Sequence, residues 1–332
     1  MINDQDIFKA LIVRKHNSSF SYKIEEKKIQ DLPKGELLIK VNYTNINFKD
    51  AMSCQGNPSI TRRFPHTPGI DACGKVIHSS DPEFYPEDDV LIICRPMGLN
   101  TSGGFAEFIR IPSSWAIKID KEIKKEYLMA FGTAGFTGII AVNSIIKSFN
   151  NLPSKVIVSG ATGGLALISI LILKNLGIKV TALTRSKLFL NKLKLIGIDE
   201  IIHPDKLIEI TKQNLALPKW DAAIDVLGGD ILSALIKTVK PKGSISVTGN
   251  AQSTSLNTNV LPFILRGISL NGVNAEMLGK DEIYNLIDKA INKSLIPDLI
   301  KTYTLINFDE LPKYIDSYLK GEVFGRVVVK IS

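Results

Sequence analysis

The stretch KVIVSGATGGLALIS, Lys155 to Ser169, constrains the fold more than any other part of the chain. A β-branched run ends in a glycine turn, and an apolar helical pattern begins at once. Gly160, Gly163 and Ala166 stand at GxxGxxA spacing. Such a turn lets backbone N–H groups and a helix N-terminus approach a pyrophosphate with no Cβ in the way. Strand, glycine turn and helix in that order predict dinucleotide binding. The competing reading is a packing turn in some other α/β protein.

The alternation continues downstream. IKVTALT, DEIIHP, WDAAIDVLG, GSISVTGN and ISLNGVNA read as strands. Helical patterns separate them, including GGLALISILILKNLG, stopped by Gly177, and SKLFLNKLKLIG. Six strands with intervening helices predict a doubly wound parallel sheet. Up to Lys121 the chain reads differently. FKALIVRK, ELLIKVNYTNI, DPEFYPEDDVLII and GGFAEFIRIP are strands and turns of a small β unit. Helical spacing then begins in KKEYLMAFGTAGFTGIIAVNSII, interrupted by Gly132 and Gly135. KDEIYNLIDKAINKSL reads as a late helix, and GRVVVKI as a strand that rejoins the N-terminal β unit. The expected organisation is α/β. A β domain covers residues 1–124, completed by 300–332, and a Rossmann-type parallel-sheet domain covers 125–299.

At 332 residues the chain has room for two domains. Its three cysteines, Cys54, Cys73 and Cys94, are far apart and form no CxxC pair. Neither a disulfide framework nor a structural zinc knot is indicated, which favours a reducing compartment. MINDQDIFKALIVRK lacks the long apolar run of a signal peptide. The longest apolar run, Leu165 to Leu173, falls short of the roughly 20 residues that a bilayer span needs. A cytoplasmic location with no membrane partner is expected. The formal charge of +8 comes from scattered lysines, which read as a solvated surface and not as a nucleic-acid site. A basic groove for a phosphorylated cofactor is the other reading.

The second strand of the parallel sheet ends in Thr184-Arg185-Ser186-Lys187. NAD sites place Asp or Glu there to bind the ribose 2′-hydroxyl. Here hydroxyl and cationic groups stand instead and suit a 2′-phosphate, so NADPH is the expected cofactor.

The phrases NFKDAMSCQG, RRFPHTPGIDACG, GGFAEF, GTAGFTG, VSGATGG, LPFILRGISLNGV and GRVVVKI occur in that order across nearly the whole chain. In them the chain resembles the zinc-independent quinone oxidoreductases of the medium-chain dehydrogenase/reductase superfamily, above all the acrylyl-CoA reductase-like branch. The resemblance implies a GroES-like β domain, a Rossmann domain, NADPH in the cleft between them and usually a homodimer. Zinc-dependent relatives carry a cysteine near the position of Asn47 and Gly-His-Glu where this chain has Gly69-Ile70-Asp71. A catalytic zinc needs three protein ligands, and His66 and Cys73 do not restore them. No metal is expected. His66 is expected in a loop or at the surface, and Cys73 inside a strand.

The same resemblance assigns site residues. Thr162, Gly163, Gly164 and Leu165 match the pyrophosphate turn. Thr184, Arg185 and Ser186 occupy the family's Ser-Gly-Arg position, with the arginine one residue early, and Phe48 stands where the family has tyrosine. Asn47 and Asp71 match the proposed polar groups of the active cleft. Asn47 either orients an acceptor carbonyl or donates to the developing enolate oxygen. Asp71 either holds Asn47 or relays a proton through water. The bland alternatives are a strand-end amide and a turn cap.

ICRPMGLNTSGGF departs most from the family, with Arg95-Pro96 and Thr101-Ser102 in place of a tryptophan-bearing loop. That departure leaves the small-molecule substrate open. Arg62 and Arg95 are the candidate substrate contacts, with a surface arginine as the alternative for Arg62. The expected activity is NADPH-dependent, zinc-independent reduction of activated C=C bonds in enoyl thioesters, enones or quinones. The rivals are a one- or two-electron quinone reductase, a trans-acting enoyl reductase of specialised metabolism and an NADPH-binding protein without reductase activity.

If the 2′-phosphate meets Arg185, Arg185→Ala weakens NADPH binding by about 1.5–3 kcal/mol, the worth of a hydrogen bond to a charged group. NADH binding changes far less. Dissociation constants for both cofactors, measured on the same variant, check this; equal losses would move the phosphate contact elsewhere.

Overall fold

The computed structural model describes residues 3–198, 200–213, 215–290 and 294–332. The chain forms two compact units. The first runs up to Thr133, then takes in Glu276 through the helix Lys280–Ala290 and the stretch from Tyr303 to Ser332. The second begins at Ala134 and ends at Thr302. The chain thus passes from one unit to the other after Thr133, and the late helix groups with the first unit. The end of that helix predicted over residues 291–293 lies outside the described residues, as does Asp199 of DEIIHP.

The first unit opens with the hairpin β1 (Ile7–His16) and β2 (Ser19–Lys28). It continues with β3 (Leu37–Ile46), β4 (Ala72–Ser79), β5 (Asp89–Ile92), β6 (Phe108–Ile111) and β7 (Ile117–Lys118). The helix Lys125–Ile146 follows and is broken at Gly132, whose φ of 53° and ψ of −166° are not helical. It is long and apolar enough to span a bilayer by length and composition, although no uninterrupted apolar run within it marks this. Of its most apolar window, 67% is buried in the protein.

The second unit contains β8 (Lys155–Ser159), β9 (Lys179–Leu183), β10 (Glu200–Ile202), β11 (Trp220–Asp225), β12 (Val239–Val247) and β13 (Ser269–Gly272). They form one parallel sheet in the order β10-β9-β8-β11-β12-β13. The chain winds outward from β8 in one direction, then returns to β11 and winds out in the other. The order reverses between β8 and β11, which is where open α/β sheets bind ligands. The strands are Val/Ile-rich because a central parallel strand is covered on both faces.

The chain then returns to the first unit with β14 (Tyr303–Asn307) and β15 (Arg326–Lys330). The sheet there runs β14-β15-β3-β4-β5-β7, with β6 also paired to β3. β15 is antiparallel to β3, with Val327 opposite Ile46, and β3 is antiparallel to β4, with Thr44 opposite Ala72. Val327, Val328 and Val329 are fully buried, as a strand inside the sheet requires. This register brings the end of β3, the start of β4 and the start of β15 together at one end of the sheet. Asn45, Asn47, Asp71 and Arg326 are the residues that stand there.

Candidate functional site

Asn47 caps the helix Phe48–Cys54 directly after β3, and Asp71 directly precedes β4. Both are buried, at 6% and 0% exposure. The Asn47 amide donates to Asp71 Oδ2 at 2.9 Å and to Asn45 Oδ1 at 2.7 Å. Its Oδ1 accepts from Arg326 Nη1 at 3.1 Å. The structure thus brings the two candidate catalytic residues into direct contact. Asp71 accepts further bonds from Asn45 Nδ2 at 3.0 Å, the Thr133 backbone N–H at 2.8 Å and the Thr133 hydroxyl at 2.5 Å.

Arg326 is buried at 1% exposure. It donates through Nε to the Ala130 carbonyl and through Nη1 to the Ile46 carbonyl, each at 3.2 Å. Its Nη2 lies 3.9 Å from Asp71 Oδ2 and makes no hydrogen bond. Gly132 makes the close approach possible. A Cβ there would lie 2.3 Å from Asn45 Nδ2 and 2.5 Å from Asp71 Oδ2.

A second carboxylate lies alongside. Asp50, fully buried in the same helix, accepts from the N–H groups of Asn47, Gly69 and Ile70 at 2.8, 3.1 and 3.0 Å. It clamps the backbone that carries Asn47 to the backbone that leads into Asp71. Burial pushes its pKa up to about 7, against the pull of the Asn47 N–H, and the charge of Asp71 adds to the rise. The sequence reading did not single out Asp50, Asn45, Thr133 or Arg326. Three of them lie inside quoted motifs (NFKD, GTAGFTG and GRVVVKI), but their convergence depends on strand register.

The other candidates in the first unit are more scattered. Phe48 is 43% exposed. Arg62 is exposed, and its Nε donates to the Pro58 carbonyl at 3.2 Å. Arg95 is half-buried, and its Nη1 donates to the carbonyls of Cys94 and Leu278 at 2.9 and 3.0 Å. Cys73 is a buried residue of β4, and burial raises its thiol pKa. His66 stands in a loop outside the named strands, as expected, but it is buried and not at the surface. Its backbone pairs with Val13, and its Nε2 lies 2.9 Å from the Gly98 carbonyl. Burial lowers its pKa, so the neutral ring is favoured. Among the described residues no three or more His, Cys, Asp and Glu side chains cluster as metal ligands would.

Apart from Phe48, which belongs to the first unit, the cofactor candidates follow β8 and β9 in the second unit. Gly160 follows β8 with φ of 60°, and a Cβ there would lie 2.5 Å from Val226. The helix Gly164–Asn175 starts immediately after, with Gly163 as a cap that supplies no side chain to its first N–H groups. Those donors and the positive end of the helix dipole suit a pyrophosphate. Gly163 is exposed, and Thr162 and Leu165 are half-buried. Beneath the turn, buried Ser159 donates to Asp225 Oδ1 at 2.7 Å and fastens β8 to β11. At the end of β9, Thr184 is buried and its hydroxyl accepts from the Ser186 N–H at 3.1 Å, while Arg185 is exposed.

Two family descriptions match the chain: an alcohol dehydrogenase GroES-like domain over residues 33–121 and a zinc-binding dehydrogenase over residues 164–292. The chain is 32% identical to YhfP of Bacillus subtilis, named provisionally as a quinone oxidoreductase, over 98% of this chain and 99% of that protein. It is 30% identical to the acrylyl-CoA reductase AcuI of Ruegeria pomeroyi, over 98% and 100%. The solved structure of the yhdH oxidoreductase from Salmonella enterica in complex with NADP superposes with a TM-score of 0.90 at 29% identity, covering 98% of this chain and all of that one. That of Bacillus subtilis yhfP with NAD bound gives 0.90 at 31%, with the same coverage. One matching description names zinc, but the residues here do not fit it. Both amide hydrogens of Asn47 are bonded within the protein, and the Arg326 guanidinium beside it opposes a second cation.

The raised pKa of Asp50 has a consequence for stability. Its ordinary value is 3.8, so the folded state keeps the proton longer than the unfolded chain does. The stabilising contribution of Asp50 is therefore complete below 3.8 and is lost as pH rises through about 7. Melting temperatures of wild type and Asp50→Asn from about pH 4 to about pH 8 check this. Wild type should lose stability relative to the variant across that window. Parallel curves would show that Asp50 titrates alike in both states.

Proposed function

The chain belongs to the medium-chain dehydrogenase/reductase superfamily, in its acrylyl-CoA reductase-like branch, and from that premise we propose that it reduces activated carbon–carbon double bonds. It is an NADPH-dependent oxidoreductase. The observation that carries the cofactor is the uncapped helix at Gly163 and Gly164, directly after β8 at the reversal of strand order. Thr184, Arg185 and Ser186 are proposed to hold the 2′-phosphate. Thr162, Gly163, Gly164 and Leu165 are proposed to hold the pyrophosphate, and Phe48 to lie near the nicotinamide.

The bound cofactor supplies a hydride for the β-carbon of an enone or enoyl thioester. The protein must then meet charge that develops on the carbonyl oxygen. Asn47 is the proposed partner for that oxygen. Its amide is already aimed, because Arg326 fixes Oδ1 and leaves Nδ2 to donate. A substrate oxygen beside the N–H that points to Asn45 would share that hydrogen without rotation of the planar amide, at the expense of a neutral hydrogen bond worth about 0.5–1.5 kcal/mol. Asp71 is proposed as the anchor of Asn47. A carboxylate with 0% exposure and four accepted hydrogen bonds is built to hold, and it has no open path to water. Arg95 and Arg62 remain the proposed contacts for an anionic part of the substrate.

A homodimer belongs to the same reading. β13 ends the parallel sheet, with one edge unpaired among the described residues. The helix that precedes it, Leu261–Arg266, and its cap expose Val260, Ile264 and Leu265 at 62%, 71% and 63%. An identical edge related by a two-fold axis would pair with β13 and cover these side chains. Sedimentation should give a dimer for wild type and a monomer for Ile264→Asp; a monomeric wild type refutes the assignment.

NADPH oxidation against a panel of enones, quinones and enoyl thioesters tests the activity. Turnover of enoyl thioesters or enones is expected. Reduction of quinones alone would favour the quinone reductase, and no turnover would leave a binding protein. With the active acceptor, Asn47→Ala should lower turnover by about 10²-fold, the low end for a lost oxyanion donor, with NADPH affinity little changed.

A further inference from the structure

The loop 93–105, where the chain departs most from its family, is joined by hydrogen bonds to the Asp71 carboxylate. Cys94 adopts a left-handed backbone with φ of 54°. Its N–H donates to the Thr133 hydroxyl oxygen at 2.8 Å. The Thr133 hydroxyl donates in turn to Asp71 Oδ1 at 2.5 Å, and the Thr133 N–H donates to Asp71 Oδ2 at 2.8 Å. The direction is forced, since a peptide N–H can only donate and a carboxylate can only accept. On the other side of Cys94, its carbonyl accepts from Arg95 Nη1, which also donates to the Leu278 carbonyl. The ion pair of Lys49 with Glu276 ties down the same segment. A continuous series of polar contacts thus runs from Leu278 through Arg95, Cys94, Thr133 and Asp71 to Asn47, all within the first unit.

We propose that Thr133 is a positioning residue of the reductase reaction, which registers the loop 93–105 to Asp71 and thereby to Asn47. The local backbone is shaped for this task. The break at Gly132 turns the Thr133 N–H away from the helix ladder and toward Asp71. The β-branched side chain restricts χ1, so the hydroxyl is held where both partners reach it. Loss of the hydroxyl would strip Asp71 Oδ1 of a donor and Cys94 N–H of its acceptor at once. A displacement of about 1 Å at a reacting group can lower rate by about 10²-fold. The proposal rests on Asn47 being the group that meets the substrate carbonyl.

Thr133→Val keeps the shape and removes the hydroxyl, and Thr133→Ser keeps the hydroxyl. Turnover would be measured with acrylyl-CoA or, where that is not accepted, the fastest acceptor of the panel. Thr133→Val should lower turnover by at least about 10-fold, leave NADPH affinity nearly unchanged and speed amide exchange at Cys94. Thr133→Ser should restore both. If Thr133→Val fails to fold, Thr133→Ala carries the same comparison. Normal turnover per folded molecule in Thr133→Val, or equal loss in both variants, overturns the proposal. Asn47→Ala separates the two layers. Normal turnover there removes the underlying reading, whereas loss in Asn47→Ala with none in Thr133→Val removes this proposal alone. Should no acceptor be turned over, amide exchange decides: unchanged protection of Cys94 in Thr133→Val overturns the link.

Discussion

A guanidinium and a carboxylate buried side by side organise the first unit. Arg326 and Asp71 are 1% and 0% exposed, so neither charge is hydrated. Such a pair stands only when nearly every remaining polar atom is satisfied, and removal of one partner costs about 3–5 kcal/mol. Here the satisfaction comes from two directions: Asn45, Ile46 and Asn47 at the end of β3, and Ala130 and Thr133 on either side of the helix break at Gly132. Arg326 reaches the pair because β15 returns from the far end of the sequence to lie against β3. The closing strand is thus more than a staple for the sheet. It delivers the cation that stands beside Asp71, and the sheet register fixes where that cation arrives.

The second unit solves a different problem with different means. It must leave a site open, not fill one. The helix Gly164–Asn175 begins without a side-chain cap, at the point where the strand order reverses. Its first N–H groups and its dipole face outward for an anion. Packing beneath the turn keeps it rigid: Gly160 sits against Val226, and Ser159 bonds Asp225. Burial raises the Asp225 pKa, while the Ser159 hydroxyl and the Gly228 N–H favour its charged form. The first unit closes its polar groups upon one another, whereas the second starts a helix at the sheet's reversal with no side-chain cap.

The parallel sheet was legible because each of its signals is local. A β-branched strand, a glycine turn and an apolar helix are neighbours in sequence, and KVIVSGATGG announces all three. β2 was harder to see. SFSYKIEEKK carries few apolar residues, yet it is a full strand because it pairs along its length with β1. The predicted helix in SKLFLNKLKLIG is present only as Leu190–Leu195, since the chain turns at Ser186 before it coils. In the site, Asn47 and Asp71 were found through resemblance. Arg326, Asn45, Thr133 and Asp50 were not, because nothing local distinguishes a polar residue that ends in a buried network from one that faces water. His66 shows the same limit: a histidine between prolines looks exposed until its backbone pairing with Val13 is known.

The network also has a direction, which chemistry alone fixes. A guanidinium has no acceptor, so the Asn47 atom that faces Arg326 must be Oδ1. The Asn47 nitrogen then faces Asn45 and Asp71, and the Asn45 atom that receives it must be an oxygen. That leaves the Asn45 nitrogen to donate to Asp71 and to the Met129 carbonyl, both of which accept. Two groups with unalterable roles, Arg326 at one end and a peptide carbonyl at the other, therefore set both amides between them. No rotation of either amide can be made without leaving two donors or two acceptors face to face. A metal would hold ligands by charge and tolerate changes of partner around its shell. This chain holds its polar groups by complementary donors and acceptors, so the orientation of Asn47 is fixed before any substrate arrives.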